Sequence, residues 1–193
     1  MKKCLIILIF TMFHYAANCQ IKQQLFGVRI ATSLANFSKN TLPTRYHSRG
    51  ISFDLGLTNQ ILRPDKLGFN VEVGYSRKNV KNNYFGYALN YLTLGFMPNY
   101  YFSHSKTYIY AGGYAAILTS YRVINDYPKS GESFKQFDTG LIIGTNQKII
   151  KTQGFQINLD ARFNKGFISI RDETWEGKTR NYGYSLGLIF SIK

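Results

Sequence analysis

Six ionisable side chains, Arg29, Asp54, Glu72, Asp138, Asp160 and Arg162, interrupt stretches that otherwise read as alternating apolar and polar residues. In FQINLDARF, residues 155–163, one row holds Phe155, Ile157, Leu159, Ala161 and Phe163, and the other holds Gln156, Asn158, Asp160 and Arg162. A period of two sends the rows to opposite faces of a β-strand. Carboxylates and guanidinium groups gathered on one face have two uses. They pass protons or select ions, or they pair with one another and neutralise an interior they fill, since buried charges are tolerated only when paired.

Catalysis has less to build on. A hydrolytic site needs a nucleophile, a base and a group that orients the base. Beyond the first twenty residues the histidines are His47, beside Ser48, and His104, between Ser103 and Ser105, and no acid is spaced to orient either. No metal-ligand spacing, phosphate-binding loop or dinucleotide fingerprint occurs, so neither an enzyme nor a cofactor is expected.

The elements that must carry the six charges recur along the chain. Period-two alternation marks strands over Leu25 to Leu34, Arg49 to Asn59, Leu67 to Ser76, Tyr87 to Phe102, Thr107 to Leu118, Phe137 to Asn146, Phe155 to Phe163 and Tyr182 to Ile192. Pro98 is expected to mark a bend or bulge in the fourth. Connections after the even-numbered strands are short, and those after the odd-numbered strands are longer and rich in Asn, Lys, Arg and Tyr. An antiparallel meander places successive connections at opposite ends, so all short turns fall on one side and all long loops on the other. No segment beyond the amino terminus approaches the roughly twenty apolar residues of a membrane helix.

This layout predicts an all-β fold, an eight-stranded antiparallel up-and-down transmembrane β-barrel in the cell outer membrane of a Gram-negative envelope. The apolar rows face acyl chains and the polar rows face a lumen. Closure is required because an open sheet edge in hydrocarbon leaves unpaired backbone groups. Eight strands leave an interior that side chains fill, which favours the paired, structural use of the six charges over a conducting one. Tyr100, Tyr101, Phe102, Tyr108 and Tyr110 around one short turn, and Tyr75, Tyr84, Phe85, Tyr182 and Tyr184 near the long loops, are expected to form interfacial girdles.

The amino terminus reads as a secretory signal peptide over residues 1–19, with Lys2 and Lys3, an apolar run from Leu5 to Phe13, and small residues Ala17 and Cys19 before the cut. The barrel domain is then 20–193. Cleavage removes both cysteines, Cys4 and Cys19, and lowers the formal charge from +14 to +12. Acylation of Cys19 as a lipoprotein anchor is the alternative, and Asn18 stands where that signal wants a small residue. The basic balance suits anionic partners. For an exported chain these are outer-membrane lipid and lipopolysaccharide rather than nucleic acid, and Lys39, Arg45, Arg77, Lys78, Lys81 and Trp175 are the loop residues placed to meet them.

The segments YLTLGFMPNYYF (91–102), YIYAGGYAAIL (108–118), DTGLIIGTN (138–146) and INLDARFNKGF (157–167) resemble the small outer-membrane β-barrel domain of Bacteroidetes-type bacteria, the PorT-like group. The resemblance spans essentially the whole mature chain and rests on barrel motifs; the ending Phe190-Ser-Ile-Lys193 departs from the aromatic last residue of many outer-membrane proteins. The leading expectation is a non-enzymatic structural or interaction scaffold, and the resemblance implies as an alternative an accessory part in protein secretion across the envelope with secretion proteins as partners. The protomer is expected to be a monomer. Two other barrels compete: a lipid-modifying outer-membrane enzyme, and a soluble lipid carrier with its apolar faces turned inward.

Overall fold

A computed structural model describes residues 23–39, 49–63, 67–81, 86–123, 134–169 and 179–192. The expected signal segment lies outside the described residues. The described chain forms eight strands, β1 (Gln23–Lys39), β2 (Arg49–Leu62), β3 (Leu67–Lys81), β4 (Gly86–Phe102), β5 (Thr107–Val123), β6 (Phe137–Lys151), β7 (Phe155–Gly166) and β8 (Thr179–Ile192). Each pairs antiparallel with its chain neighbours, and β8 returns to β1 to close the barrel.

The register aligns rows of like polarity. Ile30 lies opposite Leu55 on β2 and Leu188 on β8, while Asp160 lies opposite Asn146 and Gly187. The apolar rows are outside: Ile51 is 73% exposed and Leu94 54%, against 2% for Arg29 and 0% for Asp160. A continuous outer wall of leucine, isoleucine, valine and phenylalanine is stable only against acyl chains, since each such side chain is worth roughly 1.5–3 kcal/mol when removed from water. The soluble carrier required the opposite sorting and is excluded by it.

The strands outlast the apolar alternation toward the long loops. β1 continues to Lys39, β3 to Lys81 and β5 to Val123, because ladder pairing persists where polar side chains such as Asn79 and Asn90 meet water or headgroups. Pro98 makes no bulge. Phe96–Gly113 and Asn99–Tyr110 keep one register on either side of it, while Pro98 itself lies opposite Phe69 on β3. Proline's missing N–H opens a gap in the ladder without a slip. The bulges fall instead at Asn90/Tyr91 and at Lys148/Ile150.

Inward glycines make room for large inward rings. A Cβ on Gly144 would stand 2.4 Å from the Tyr110 ring and hydroxyl, whereas one on the outward Gly113 meets nothing nearer than 3.6 Å. Gly144→Ala is therefore expected to destabilise the barrel by about 1 to 3 kcal/mol through overpacking, and Gly113→Ala to leave the denaturant midpoint near that of the parent. Equal midpoints for the two variants would show that Tyr110 does not occupy that space.

Candidate functional site

The polar rows of β1, β2, β3 and β7 meet at mid-lumen around Asp160. Its carboxylate accepts from Arg29 Nε at 2.7 Å, from Arg162 Nε at 3.0 Å, from the Tyr110 hydroxyl and from Asn146 Nδ2 at 3.4 Å. Arg162 then forks onto Glu72, donating to Oε1 at 3.1 Å and Oε2 at 3.0 Å. Arg29 donates to Ser185 Oγ at 2.8 Å and stands 3.8 Å from Asp54, which also accepts from Ser76. Asp54, Arg29, Asp160, Arg162 and Glu72 thus form one chain of alternating charge. The bidentate guanidinium–carboxylate geometry is the strongest link in it.

Asp138 stands apart, nearer the long loops. It accepts from Tyr114 at 3.1 Å and Asn181 at 2.8 Å, and Lys78 Nζ lies 3.5 Å away. That ammonium also sits 5.0 Å from the Tyr91 ring centre and 5.6 Å from that of Tyr114, a cation–π arrangement. The placement of Lys78 corrects its expected role as a loop contact. β3 runs on to Lys81, and alternation from Asn70 through Glu72, Gly74 and Ser76 turns Lys78 into the lumen.

Arg77 is exposed on the outer face at the loop end of β3, where its Nε donates to Asn79. Lys39 and Lys81 are the last residues of β1 and β3. Arg45 and Trp175 lie outside the described residues, as do His47, Tyr84 and Phe85. His104 is exposed in the β4–β5 turn, and among the described residues no group of three His, Cys, Asp or Glu side chains could hold a metal ion.

Above and below the charges, apolar side chains gather in two clusters among buried amides such as Gln60, Asn99 and Asn158. On the short-turn side Leu25, Leu62, Met97, Tyr101, Tyr108, Tyr110 and Ile142 pack into one cluster. On the long-loop side Ala35, Tyr87, Leu89, Tyr91 and Ala116 form another, with Phe134 stacked edge-on against Tyr87 at 5.2 Å. Three of these aromatics, Tyr101, Tyr108 and Tyr110, correct the expected girdle: they fill the lumen at 8%, 0% and 3% exposure. The signal for it was the alternation itself, since Tyr108, Tyr110 and Tyr114 oppose the small outward residues Ala111, Gly113 and Ala115. Outward aromatics include Tyr100 with Phe102 at one end, and Tyr75 and the pair Phe163 and Tyr184 toward the other. Between the clusters a small cleft of about 50 Å³ is lined by Arg29, Asp54, Glu72, Lys78, Tyr114 and Arg162.

A family model described as outer membrane protein beta-barrel domain matches residues 11–172. No curated protein sequence matches the chain. Among solved structures the chain is similar to Neisserial surface protein A, at 19% identity over 85% of this chain and 95% of that one, with a TM-score of 0.57. It is also similar to OprG from Pseudomonas aeruginosa, at 15% identity over 88% of this chain and 95% of that one (TM-score 0.49), and to the attachment invasion locus protein Ail of Yersinia pestis, at 11% identity over 88% and 99% (TM-score 0.46). The first likeness shows the fold.

Proposed function

The chain belongs to the outer membrane protein beta-barrel domain family and resides in the outer membrane, and from that premise we propose that it is a non-enzymatic, monomeric scaffold that acts through its surface rather than through its lumen. The observation that carries this reading is the filling of the interior: a mutually paired set of charges between two apolar clusters. Charges already committed to one another are poorly placed to turn over a substrate, and the clusters oppose a continuous water path. The long loops, with their basic residues, are left as the working surface toward lipopolysaccharide or another anionic partner.

Planar bilayers containing the purified protein are accordingly expected to show no large steady conductance. Steady currents of porin size would contradict the reading. Photo-crosslinking side chains placed at Arg45 and Trp175 in living cells would identify what the loops touch, with lipopolysaccharide or an envelope protein as the expected product. The resemblance of the four segments to the PorT-like group favours a second reading, an accessory part in protein secretion. A deletion strain that exports its secreted proteins normally would remove that one.

A further inference from the structure

We propose that the mid-lumen cleft binds a monovalent alkali cation, held by the Asp54 carboxylate together with the side-chain oxygens of Ser76 and Asn164. The site starts from a charge imbalance. Along the chain Asp54, Arg29, Asp160, Arg162 and Glu72, three carboxylates share two guanidinium groups, and Lys78 is matched by Asp138. Lys148, an inward base of β6, is at the short-turn end against the Tyr101 hydroxyl. One negative charge at mid-lumen is left over, and it falls to Asp54. Arg162 grips Glu72 through two hydrogen bonds and Asp160 takes both arginines, whereas Arg29 Nη1 stands 3.8 Å from Asp54, beyond hydrogen-bond reach.

Space and oxygen atoms meet at the same place. The cleft of about 50 Å³ has room for about three waters. It lies against Gly95, where an added Cβ would meet nothing nearer than 3.4 Å, so the missing side chain helps to open it. A second cleft of about 20 Å³ shares Asp54, Ser76 and Asn164 with the first and continues to Asn181, toward the long loops. The Oδ1 atoms of Asn164, Asn181 and Asp138 are buried and accept no hydrogen bond from the described residues, and Asn181 as a whole is 3% exposed. Ser76 donates its proton to Asp54, so its own oxygen can still serve as a ligand.

A water would bring donors to these oxygens and no charge. A proton on Asp54 would cancel the charge and fill no space. A cation does both, since hard cations gather several oxygen ligands at once, carboxylate, amide and hydroxyl alike. The excess of a single charge beside Arg29, Arg162 and Lys78 selects a monovalent ion, because a divalent one would leave the mid-lumen net positive. Asp54 thus supplies the charge, and Ser76 and Asn164 supply neutral oxygens on the wall of the same cleft.

The test uses the purified protein folded into phosphatidylcholine vesicles, with urea unfolding followed as sodium chloride replaces choline chloride at constant ionic strength and pH. Choline cannot gather oxygen ligands around its methylated nitrogen. Once sodium exceeds its dissociation constant, each tenfold rise is expected to lower the unfolding equilibrium constant of the parent about tenfold. D54N, which removes the excess charge, is expected to lose the response. N164A, which removes an oxygen, and G95A, which narrows the cleft, are expected to weaken it, and K148Q, at the short-turn end, to keep it. Folding of each variant is followed separately by the migration shift between boiled and unboiled samples. Equal unfolding of the parent in the two salts, a sodium response that persists in folded D54N, or one undiminished in folded G95A would overturn the site. A parent that ignores sodium but loses stability as pH rises, while D54N does not, would assign the charge to a proton on Asp54 and overturn it too.

Discussion

Arg162→Met is expected to remove about 3 to 5 kcal/mol of stability, the cost of breaking a buried ion pair by deleting one partner. The guanidinium is shared by Glu72, through two hydrogen bonds, and by Asp160, through a third. Methionine fills much of the same volume, so the loss is electrostatic rather than a cavity. Glu72 would be left in the lumen with no base, and Asp160 would keep Arg29 alone. Adding Glu72→Gln to the variant is therefore expected to restore part of the lost stability, because the orphaned charge is gone. Denaturant titration of the barrel folded in lipid vesicles measures both changes. A single variant as stable as the parent would mean that the lumen is wet enough to solvate these groups individually.

Leu94→Arg should be nearly as damaging for the opposite reason. Leu94 is mid-strand on the outer face, between Val73 and Ala115 across the ladder, with Leu92 and Phe96 along it. A guanidinium there meets acyl chains, at a cost of about 2 to 4 kcal/mol near the bilayer midplane and only about 0 to 1 near the interface. Ile51→Arg, near the loop end of β2, serves as the shallow control and is expected to change stability little. Equal costs at the two depths would indicate that the outer wall is not in lipid.

Much of the fold was legible because strand faces are written two residues apart. The eight segments, their faces and the assignment of Arg29, Asp54, Glu72, Asp138, Asp160 and Arg162 to one side of the wall follow from period two, and the structure places all six on the lumen side, four of them buried and Asp54 and Glu72 partly so. Pairing was not legible. Arg29 and Asp160 are separated by 131 positions, and no local pattern says which arginine meets which acid across a lumen. Tyrosine misled for a physical reason: an amphipathic ring with a hydroxyl suits a headgroup belt and a polar interior equally well. Only the inward glycines opposite, such as Gly144 beneath Tyr110, distinguish the two. Lys78 falls in the lumen and not in a loop because backbone pairing outlasts the apolar alternation: it runs five residues past Ser76, to Lys81.

The sorting of faces is the claim on which the lumen and the function both depend, and spin labels along β4 test it most directly. Single cysteines at Leu92, Thr93, Leu94, Phe96 and Met97, in a chain without Cys4 and Cys19, would be labelled after folding into vesicles and probed for collisions with oxygen, which concentrates in hydrocarbon. High accessibility at Leu92, Leu94 and Phe96 and low accessibility at Thr93 and Met97 is the predicted result. The inverse alternation, or uniform accessibility along the strand, would contradict it.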